Sequence, residues 1–387
     1  MKKIIRRIKE IVIILKLSLS FFISLFYKKH RLLLISERGT EARDNGYWLF
    51  KFIKERHPEI DVRFIISSNA SDRAKLIKYK NCLITYGSFI HYIMLWRATD
   101  LISTHIQGYG TDLGFFQELN KRYYIFRNKN QISIKHGITK DYLPVLNNDI
   151  SRLDKLVCGA KPEYDYVCKV NNNPPQVVCY TGFCRFDNLL DYTLKNQVLL
   201  MPTWRIGMDD SRFESSAFFN EYVNLLSDKS LAEILRANNL TLIFYPHYEI
   251  QKHLDSFKKN QLSSRIVIAD KEHYDVQLLL KESKLLITDY SSVFFDFAYM
   301  KKPIIYYQFD YENYRMNQYS EGYFKYDDSF GPVCRTKTEL INYVEKALKN
   351  NFVMQDQYAH KVDNYFPIRD KHNCERVYEM IMSCSIK

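Results

Sequence analysis

The segment Leu285–Thr288 and the polar residues that follow it constrain the fold more than any other part of the chain. Leu285–Thr288 is a short apolar run of the kind that is buried inside a parallel sheet. Asp289, Tyr290, Ser291 and Ser292 then form a polar turn, and a helical pattern follows. The start of such a helix carries unpaired backbone N–H groups and partial positive charge, which favour a phosphate. A plain helix-capping role for Ser292 is the alternative interpretation.

Three further segments place a basic or imidazole side chain just past the carboxyl end of an apolar run. These side chains are His136, Arg205 and His247. Pro202 and Pro246 shape the turns that precede the last two. Taken singly, they fit a surface-loop histidine, a surface ion pair and a capping histidine. Each lies where open α/β sheets bind ligands, at the carboxyl end of a strand, with His136 in the predicted first domain and Arg205 and His247 in the second.

Together, these segments resemble the CDP-glycerol glycerophosphotransferase family, whose members build teichoic-acid-type and related capsular polymers. The resemblance covers roughly residues 130 to 380, with a weaker match from about residue 31. Several motifs in one order are more specific than any one of them. The motifs that carry the resemblance are Gln131-Ile-Ser-Ile-Lys-His-Gly-Ile-Thr-Lys140, Met201-Pro-Thr-Trp-Arg205, Phe244-Tyr-Pro-His247, Thr288-Asp-Tyr-Ser-Ser292, Lys302-Pro-Ile-Ile-Tyr306 and Asn373-Cys-Glu-Arg376.

The resemblance implies that His136 is the general base, since a neutral imidazole can accept the proton of an acceptor hydroxyl near pH 7. Arg205 offers a planar fork suited to phosphate, and His247 can donate to a phosphoryl oxygen or protonate the leaving group. Such groups stabilise the negative charge that builds on the departing CMP. Ser291 and Ser292 would complete the cradle for the pyrophosphate.

Four weaker expectations concern residues around this cradle. Asp296 either bonds a ribose hydroxyl or complements the helix dipole, and Asp289 either orients the turn or contacts the ligand. Lys140 is a candidate accessory residue. The aromatic segment Tyr306–Tyr314 either encloses the cytosine or covers the sheet. No residues show metal-ligand spacing, so we expect no tightly bound cofactor, although Mg²⁺ can accompany the phosphates of the donor.

After residue 31, short apolar runs alternate with helical patterns, which predicts an α/β fold with parallel sheets. Thirteen strand candidates exceed one comfortable sheet and predict two Rossmann-like domains that face each other; the resemblance implies the same GT-B arrangement. The predicted strands are Leu32–Ile35, Val62–Ile66, Leu83–Thr85, Leu101–Ser103, Tyr123–Phe126, Ile132–Ile134, Leu156–Cys158, Val177–Tyr180, Val198–Met201, Leu240–Tyr245, Ile266–Ile268, Leu285–Thr288 and Ile304–Tyr307.

The predicted domains are a membrane-associating helix over residues 1–30, an acceptor domain over 31–190 and a CDP-donor domain over 191–387. Residues 1–31 contain nine Lys or Arg and one acid, so they carry +8 of the formal net charge of +12. The apolar stretch Ile11–Tyr27 is 17 residues long, slightly short of the roughly 20 that span a bilayer. A helix lying on an anionic membrane surface is therefore predicted, and a spanning anchor is left open. A signal peptide is disfavoured, since no small-residue cleavage site follows.

The remaining charge of only +4 gives no basic footprint for nucleic acid. The eight cysteines include no C-x-x-C pair, which favours reduced thiols over a disulfide framework or a zinc site. The sequence does not indicate an oligomeric state.

The sequence thus predicts a peripheral transferase at the cytoplasmic face of the membrane. It would move glycerol phosphate from CDP-glycerol to a hydroxyl of a lipid-linked glycan or polyol-phosphate acceptor, releasing CMP. One alternative keeps the fold but uses CDP-ribitol or a nucleotide sugar as donor. Another is a non-catalytic membrane scaffold for polymer assembly.

Overall fold

Two parallel β-sheets and the helices that connect their strands make up the chain. The computed structural model describes residues 2–28, 30–208, 210–260, 263–317 and 320–387. Met1 and Lys29 of the predicted N-terminal segment lie outside the described residues. The chain divides into two compact units, each with one sheet. The first unit contains the residues up to Ile138 together with Leu143–Asn188 and Asp370–Lys387, and the second contains Thr139–Tyr142 and Leu189–Arg369.

The sheet of the first unit has seven parallel strands in the order β3-β2-β1-β4-β5-β6-β7. Its strands are β1 (Leu33–Ser36), β2 (Val62–Ile66), β3 (Leu83–Thr85), β4 (Asp100–Ser103), β5 (Asn130–Ser133), β6 (Lys155–Cys158) and β7 (Val178–Tyr180). Its connecting helices are α1 (Lys2–Ser24), α2 (Asn45–Arg56), α3 (Phe89–Arg97), α4 (Leu113–Tyr123), α5 (Asn148–Ser151), α6 (Lys161–Val170) and α7 (Phe186–Leu189).

The sheet of the second unit has six parallel strands in the order β10-β9-β8-β11-β12-β13. Its strands are β8 (Gln197–Met201), β9 (Thr241–Phe244), β10 (Ile266–Ile268), β11 (Leu285–Thr288), β12 (Ile304–Tyr307) and β13 (Val333–Cys334). Its helices are α8 (Ala217–Leu226), α9 (Lys229–Ala237), α10 (Leu254–Lys258), α11 (Val276–Glu282), α12 (Phe294–Tyr299), α13 (Tyr311–Asn317), α14 (Lys337–Lys349) and α15 (Asp356–Tyr365), and the chain then ends with α16 (Asn373–Met382).

Both sheets reverse their strand order at one point, between β1 and β4 in the first unit and between β8 and β11 in the second. In parallel sheets such a reversal opens a crevice at the carboxyl ends of the strands, where ligands bind. The central strands β1, β4 and β11 are buried along their whole length, as expected for strands covered on both sides. The predicted α/β fold class, with two Rossmann-like parallel-sheet units, is confirmed.

Two of the strand assignments differ from the sequence prediction. The predicted strand Tyr123–Phe126 is wrong: α4 runs through Tyr123, and Tyr124 ends it with a left-handed backbone (φ 47°). The aromatic run that suggested a strand instead places Phe126 in the core beneath α3 and α4. Conversely, the two-residue strand Val333–Cys334 was not predicted, because so short an edge strand has no alternating pattern to detect.

The two compact units also do not coincide with the predicted ranges. Residues 370–387 belong to the first unit, where the carboxylate of Asp187 accepts the backbone N–H groups of Asn373 and Cys374, both at 2.8 Å. Asp187 thereby satisfies two donors at the start of α16, which otherwise lacks a side-chain cap. Residues 139–142 belong to the second unit, where the backbone N–H of Tyr142 donates to the carbonyl of Ser320 at 3.2 Å.

The N-terminal helix α1 is docked on the body of the first unit. Ile13 and Leu17 are buried in its core, and the indole N–H of Trp96 donates to the carbonyl oxygen of Leu17 at 2.9 Å. Lys9 pairs with Asp112 at 2.8 Å. Among the described residues, no helix combines the length and apolar character needed to cross a bilayer.

Candidate active site

The strand ends at the reversal point of the first unit present one cation and two histidines. Arg38 follows β1, His105 follows β4 and His136 follows β5. The backbone of Arg38 is left-handed (φ 53°), as is that of Lys135 (φ 47°) just before His136. Such conformations are uncommon outside glycine and concentrate at functional loops.

The rings of His105 and His136 stack face to face, with their centroids 4.5 Å apart and their planes 1° from parallel. Nδ1 of His105 lies 3.0 Å from the hydroxyl oxygen of Thr104. The imidazole of His136 bonds the backbone of Thr104, and this bond favours its protonated form. A neutral imidazole that donates through one nitrogen keeps the other as a proton acceptor, which is what a general base requires.

The electrostatic surroundings keep both imidazoles neutral. Burial of the site, then repulsion from Arg38, Arg185 and Lys135, lower the pKa of His136 to about 4. His136 is exposed on its own unit, and the three cations lower its pKa independently of burial. Burial and the neighbouring His136 and Arg38 lower the pKa of His105 to about 2. At neutral pH the pair therefore carries no charge.

The turn that carries His136 is fixed from three sides. Lys135 is buried and pairs with Glu163, whose other oxygen accepts the backbone N–H of Gly159 at 2.8 Å. The amide of Asn45 donates to the carbonyl of Lys135 at 2.6 Å. Arg185 donates to the carbonyl of His136 at 2.9 Å. These bonds position the imidazole without involving its ring.

In the second unit, the turn after β11 is organised by Asp289, which is fully buried. Its carboxylate accepts the backbone N–H groups of Thr203 at 2.9 Å and of Tyr290 at 2.6 Å. It thereby ties the turn after β8 to the turn after β11. Of its two expected roles, Asp289 makes the turn-orienting contacts, and contact with a ligand stays a prediction.

The guanidinium of Arg205 is held by two carboxylates. It donates to both oxygens of Asp310, at 2.8 and 3.1 Å, and lies 2.9 Å from Asp289. It also lies over the ring of Tyr290, 4.9 Å from the centroid, and Tyr290 stacks on Tyr314 at 3.6 Å. Burial alone would lower the pKa of Arg205, but Asp289 and Asp310 raise it above its ordinary value. The predicted phosphate contact of Arg205 would have to compete with these carboxylates.

His247 is half-buried after β9, and its Nδ1 accepts the backbone N–H of Glu249 at 3.4 Å. This contact places the ring proton on Nε2, which can donate to a phosphoryl oxygen. The backbone N–H of His247 donates to the carbonyl of Pro202 at 3.2 Å, so the turns after β8 and β9 are joined.

Ser291 and Ser292 are half-buried in the turn before α12. The interpretation of Ser292 as a helix cap is wrong: Val293 occupies the cap position, and no side chain bonds there. The hydroxyl oxygen of Ser291 accepts the backbone N–H of Val293 at 3.4 Å. Because α12 has only six residues, its dipole contributes little, and the hydroxyls are the stronger candidates for phosphate contact.

The remaining predicted residues are buried. Asp296 lies in the first turn of α12, and its bond to a ribose stays a prediction. Tyr306, Tyr307 and Tyr314 are buried in the second unit, which favours the interpretation of this segment as cover over the sheet. Lys140 is also buried and paired with a neighbouring carboxylate.

Lys140 belongs to a small ionic cluster with Asp141 and Arg315. Its partner Asp141 also accepts from Arg315 at 2.9 Å, and Lys140 lies 5.8 Å from the ring centroid of Tyr326. Burial, the largest influence, lowers the pKa of Lys140 although Asp141 opposes it. Lys140 therefore fixes its loop within the second unit, and an accessory role in chemistry stays a prediction.

The structure brings Arg205, Asp289 and Tyr290 together in the second unit and surrounds His136 with partners in the first. His105, Arg38 and Asp310 were not predicted. His105 shares with His136 the one signal that could have found it, a position directly after an apolar strand. Among the described residues, no cluster of three or more His, Cys, Asp or Glu side chains is arranged to hold a metal ion.

The family model and two relatives that are similar to this chain in sequence concern teichoic acid or poly(glycerophosphate) synthesis. Residues 17–383 match the model of the family described as CDP-Glycerol:Poly(glycerophosphate) glycerophosphotransferase. The chain is 34% identical over 364 residues to the minor teichoic acid biosynthesis protein GgaB of Bacillus subtilis, covering 90% of this chain and 39% of that protein. It is 29% identical over 189 residues to a teichoic acid poly(glycerol phosphate) polymerase of Bacillus spizizenii, covering 49% of this chain and 45% of the polymerase.

The chain thus spans less than half the length of these relatives. Its fold is similar to that of the wall teichoic acid polymerase TagF, with a TM-score of 0.69 at 18% identity over 98% of this chain and 97% of the other. Because the family model covers nearly the whole chain, the protein belongs to the CDP-glycerol:poly(glycerophosphate) glycerophosphotransferase family.

Proposed function

We propose that the protein transfers glycerol phosphate from CDP-glycerol to a hydroxyl of a lipid-linked glycan or polyol-phosphate acceptor, releasing CMP, in teichoic-acid or capsular polymer synthesis. The observation that carries the proposal is the neutral imidazole of His136, held at a strand end beside uncompensated positive charge. Membership of the family and the names of the relatives, which describe teichoic acid biosynthesis and glycerol phosphate polymerisation, support the choice of substrate.

In the proposed reaction, the acceptor oxygen attacks the phosphorus that carries glycerol. The bond from that phosphorus to the bridging oxygen breaks, and CMP leaves with the bonding electrons. His136 takes the proton of the acceptor hydroxyl. An anionic substrate beside Arg38 offsets part of the repulsion that lowers the pKa of His136, so the base becomes stronger once the substrate is bound.

We assign the donor phosphates to the second unit. His247 donates through Nε2 to a phosphoryl oxygen, and the hydroxyls of Ser291 and Ser292 donate to the pyrophosphate. Arg205, held by Asp289 and Asp310, keeps the turns after β8 and β11 in place, and its own contact with a phosphate oxygen would compete with these two carboxylates. Mg²⁺ would arrive on the phosphates of the donor, as is common for this ion.

The decisive experiment measures CMP release by the purified protein with a soluble acceptor analogue. CDP-glycerol, CDP-ribitol and UDP-sugars are supplied in turn at equal concentration. We expect release of CMP from CDP-glycerol to be the fastest. Faster turnover of CDP-ribitol or a UDP-sugar would replace the donor in this proposal, and no release from any of them would favour the scaffold.

We also propose that α1 holds the protein to the cytoplasmic face of the membrane as a peripheral protein. Its outward side exposes a long apolar stripe that includes Ile4, Ile8, Leu15 and Phe22, and basic residues accompany it. Apolar area and attraction to anionic lipid together give such helices their affinity for a membrane surface.

The vesicle test uses substitutions on this stripe rather than removal of residues 1–30, because removal would uncover Trp96 and the core against which α1 packs. We expect wild-type protein to bind vesicles of anionic lipid, binding to weaken with salt, and the triple change Ile4→Ser, Ile8→Ser, Leu15→Ser to abolish it. Salt-resistant retention that only detergent reverses would favour a spanning helix instead.

A further inference from the structure

An apolar groove runs between α1 and the body of the first unit. It has a volume of about 430 Å³, and among the described residues that line it Ser18 alone has a polar side chain of the serine, amide or charged kind. The residues that define it are Ile14, Phe21 and Phe22 of α1, Trp96 of α3, Leu119 of α4 and Ile125. A cavity of this size lies within the range that holds a small ligand, and its lining offers almost no hydrogen bonds to such a ligand.

A second cavity of about 300 Å³ adjoins the groove, since Phe21 and Trp96 line both. Its charged lining is entirely basic within the described part of the chain. The basic side chains are Lys28, His30, Arg97, Lys129 and Lys387. The second cavity is therefore positive where the first is apolar.

Part of this positive charge is not neutralised by the protein. His30 pairs with Asp61 at 2.7 Å, and Lys387 pairs with Asp154. Lys28 and Arg97 have no carboxylate within ion-pair distance among the described residues; Arg97 instead lies over the ring of Tyr27, 4.6 Å from the centroid. An anionic group in this cavity would meet two available cations.

We propose that the two cavities together bind one anionic membrane phospholipid. One of its two acyl chains lies in the groove beside Trp96, the other stays outside the groove, and the phosphate lies between Lys28 and Arg97. An apolar slot that opens directly into a cationic pocket matches the two ends of such a molecule, because hydrocarbon gains from leaving water while the phosphate gains from the cations.

This site differs from the exposed stripe of α1. The stripe along Ile4, Ile8 and Leu15 faces outward and attracts a membrane as a surface, whereas the groove lies between α1 and the body of the first unit and has room for one chain. Phe22 ends the stripe and also borders the groove. The inference extends the proposed membrane association, and it is independent of the proposed transfer chemistry. Because the groove has room for one chain, we expect one lipid to bind per protein, and this binding does not require a bilayer.

The experiment titrates the full-length protein with dioctanoyl phosphatidylglycerol below its critical micelle concentration and follows tryptophan emission. The Trp96→Phe variant identifies the contribution of Trp96 among the three tryptophans. We expect saturation at one lipid per protein, with at least about tenfold tighter binding than dioctanoyl phosphatidylcholine, since each nearby cation favours anionic lipid. Equal affinity for the two lipids, or no saturation below micelle formation, would overturn the proposal.

Two matched pairs of variants locate the site. The double change Lys28→Gln, Arg97→Gln should remove the preference for phosphatidylglycerol, whereas Arg7→Gln, an exposed cation of α1 outside both cavities, should keep it. Ser18→Phe should fill the groove and weaken both lipids at least about tenfold, whereas Ser18→Ala should not. Unchanged binding in the first member of either pair would exclude the assigned position.

Two further measurements, with inorganic phosphate and with farnesyl phosphate, identify the class of ligand that binds in the two cavities. Inorganic phosphate at the same concentration should not displace the phospholipid; displacement would show an anion site without a lipid tail. Tighter binding of farnesyl phosphate than of phosphatidylglycerol would identify the ligand as an isoprenoid phosphate and would overturn the proposal of a phospholipid. Release of CMP with a soluble acceptor should remain unchanged in all these variants, so a failed lipid site and a failed transferase give different results.

Discussion

The two units bring charge to the ends of their strands, but they balance it differently. In the second unit, Arg205 is neutralised by Asp289 and Asp310, and the three side chains join turns that are far apart in sequence. In the first unit, Arg38 stands beside neutral imidazoles, and no carboxylate among the described residues pairs with it. A compensated cation stabilises a turn, whereas an uncompensated cation favours an anionic ligand.

The largest expected effect is a loss of stability when the neutralised cation of the second unit, Arg205, loses one of its carboxylate partners. Asp310→Ala leaves the guanidinium of Arg205 largely buried with half of its carboxylate partners removed. We expect the free energy of unfolding to fall by about 3–5 kcal/mol, the usual cost of breaking a buried pair. Denaturant or thermal unfolding measures the change, and the isosteric Asp310→Asn should cost less.

The control for this variant is the exposed pair of Lys161 and Asp165 on α6. Asp165→Ala should change stability by no more than about 1 kcal/mol, as is typical of solvent-exposed ion pairs. If the losses at Asp310 and Asp165 are equal, the cluster around Arg205 is not a buried structural clamp.

The next effect is a loss of turnover when the first unit loses the imidazole that lies beside Arg38. His136→Ala should lower turnover by at least ~100-fold, because it removes a positioned general base. Binding of CDP-glycerol should change little, and calorimetry can measure it separately from the rate of CMP release. The control is His360→Ala, which removes an exposed histidine of α15. Near-normal turnover in a folded His136→Ala protein would exclude His136 as the base.

A smaller effect separates a ligand contact from a structural one in the second unit. His247→Ala should weaken CDP-glycerol binding by about 1.5–3 kcal/mol, the cost of losing a hydrogen bond to a charged group. Arg205→Ala should reduce both donor binding and stability, because it leaves the carboxylates of Asp289 and Asp310 without their cationic partner. Wild-type affinity for CDP-glycerol in both variants would place the donor phosphates elsewhere.

The smallest effect concerns pH. Because the pKa of His136 is lowered in the free protein, the neutral, active form persists below pH 6.5, and the acid limb of kcat/KM should lie below that value. Arg38→Gln removes one repelling cation, so the pKa of His136 should rise and the acid limb should move to higher pH. Arg122→Gln, an exposed cation of α4, is the matched control. An acid limb that Arg38→Gln leaves in place would show that Arg38 does not act on the base.

The strands that carry the candidate residues could be predicted almost to the residue. Leu285–Thr288 and Ile304–Tyr307 are observed as predicted, because a buried parallel strand is a short apolar run bounded by polar turns. Tyr123–Phe126 has the same apolar character but ends a helix. Composition alone does not separate a buried strand from the end of a helix, since both place apolar side chains in the core.

The partners of the candidate residues could not be predicted. Arg205 has the composition of a phosphate ligand, yet its nearest anions are Asp310, which is 105 positions later, and Asp289. His105 lacked a distinguishing motif and became significant only because β4 lies beside β5 and its ring stacks on His136. Which strand ends become neighbours depends on the order of strands in the sheet, and a local pattern does not contain that order.

The sequence by itself determined the fold class, the positions of His136, Arg205 and His247 at strand ends, and the basic apolar character of α1. Each of these depends on the periodicity and charge of a short segment. Only the tertiary structure decided that the charge of Arg205 is compensated while that of Arg38 is not. It also decided that α1 docks on α3 to leave a groove beside a cationic pocket. The physical reason is that electrostatic balance and cavity shape depend on distances between side chains, which only the packed chain fixes.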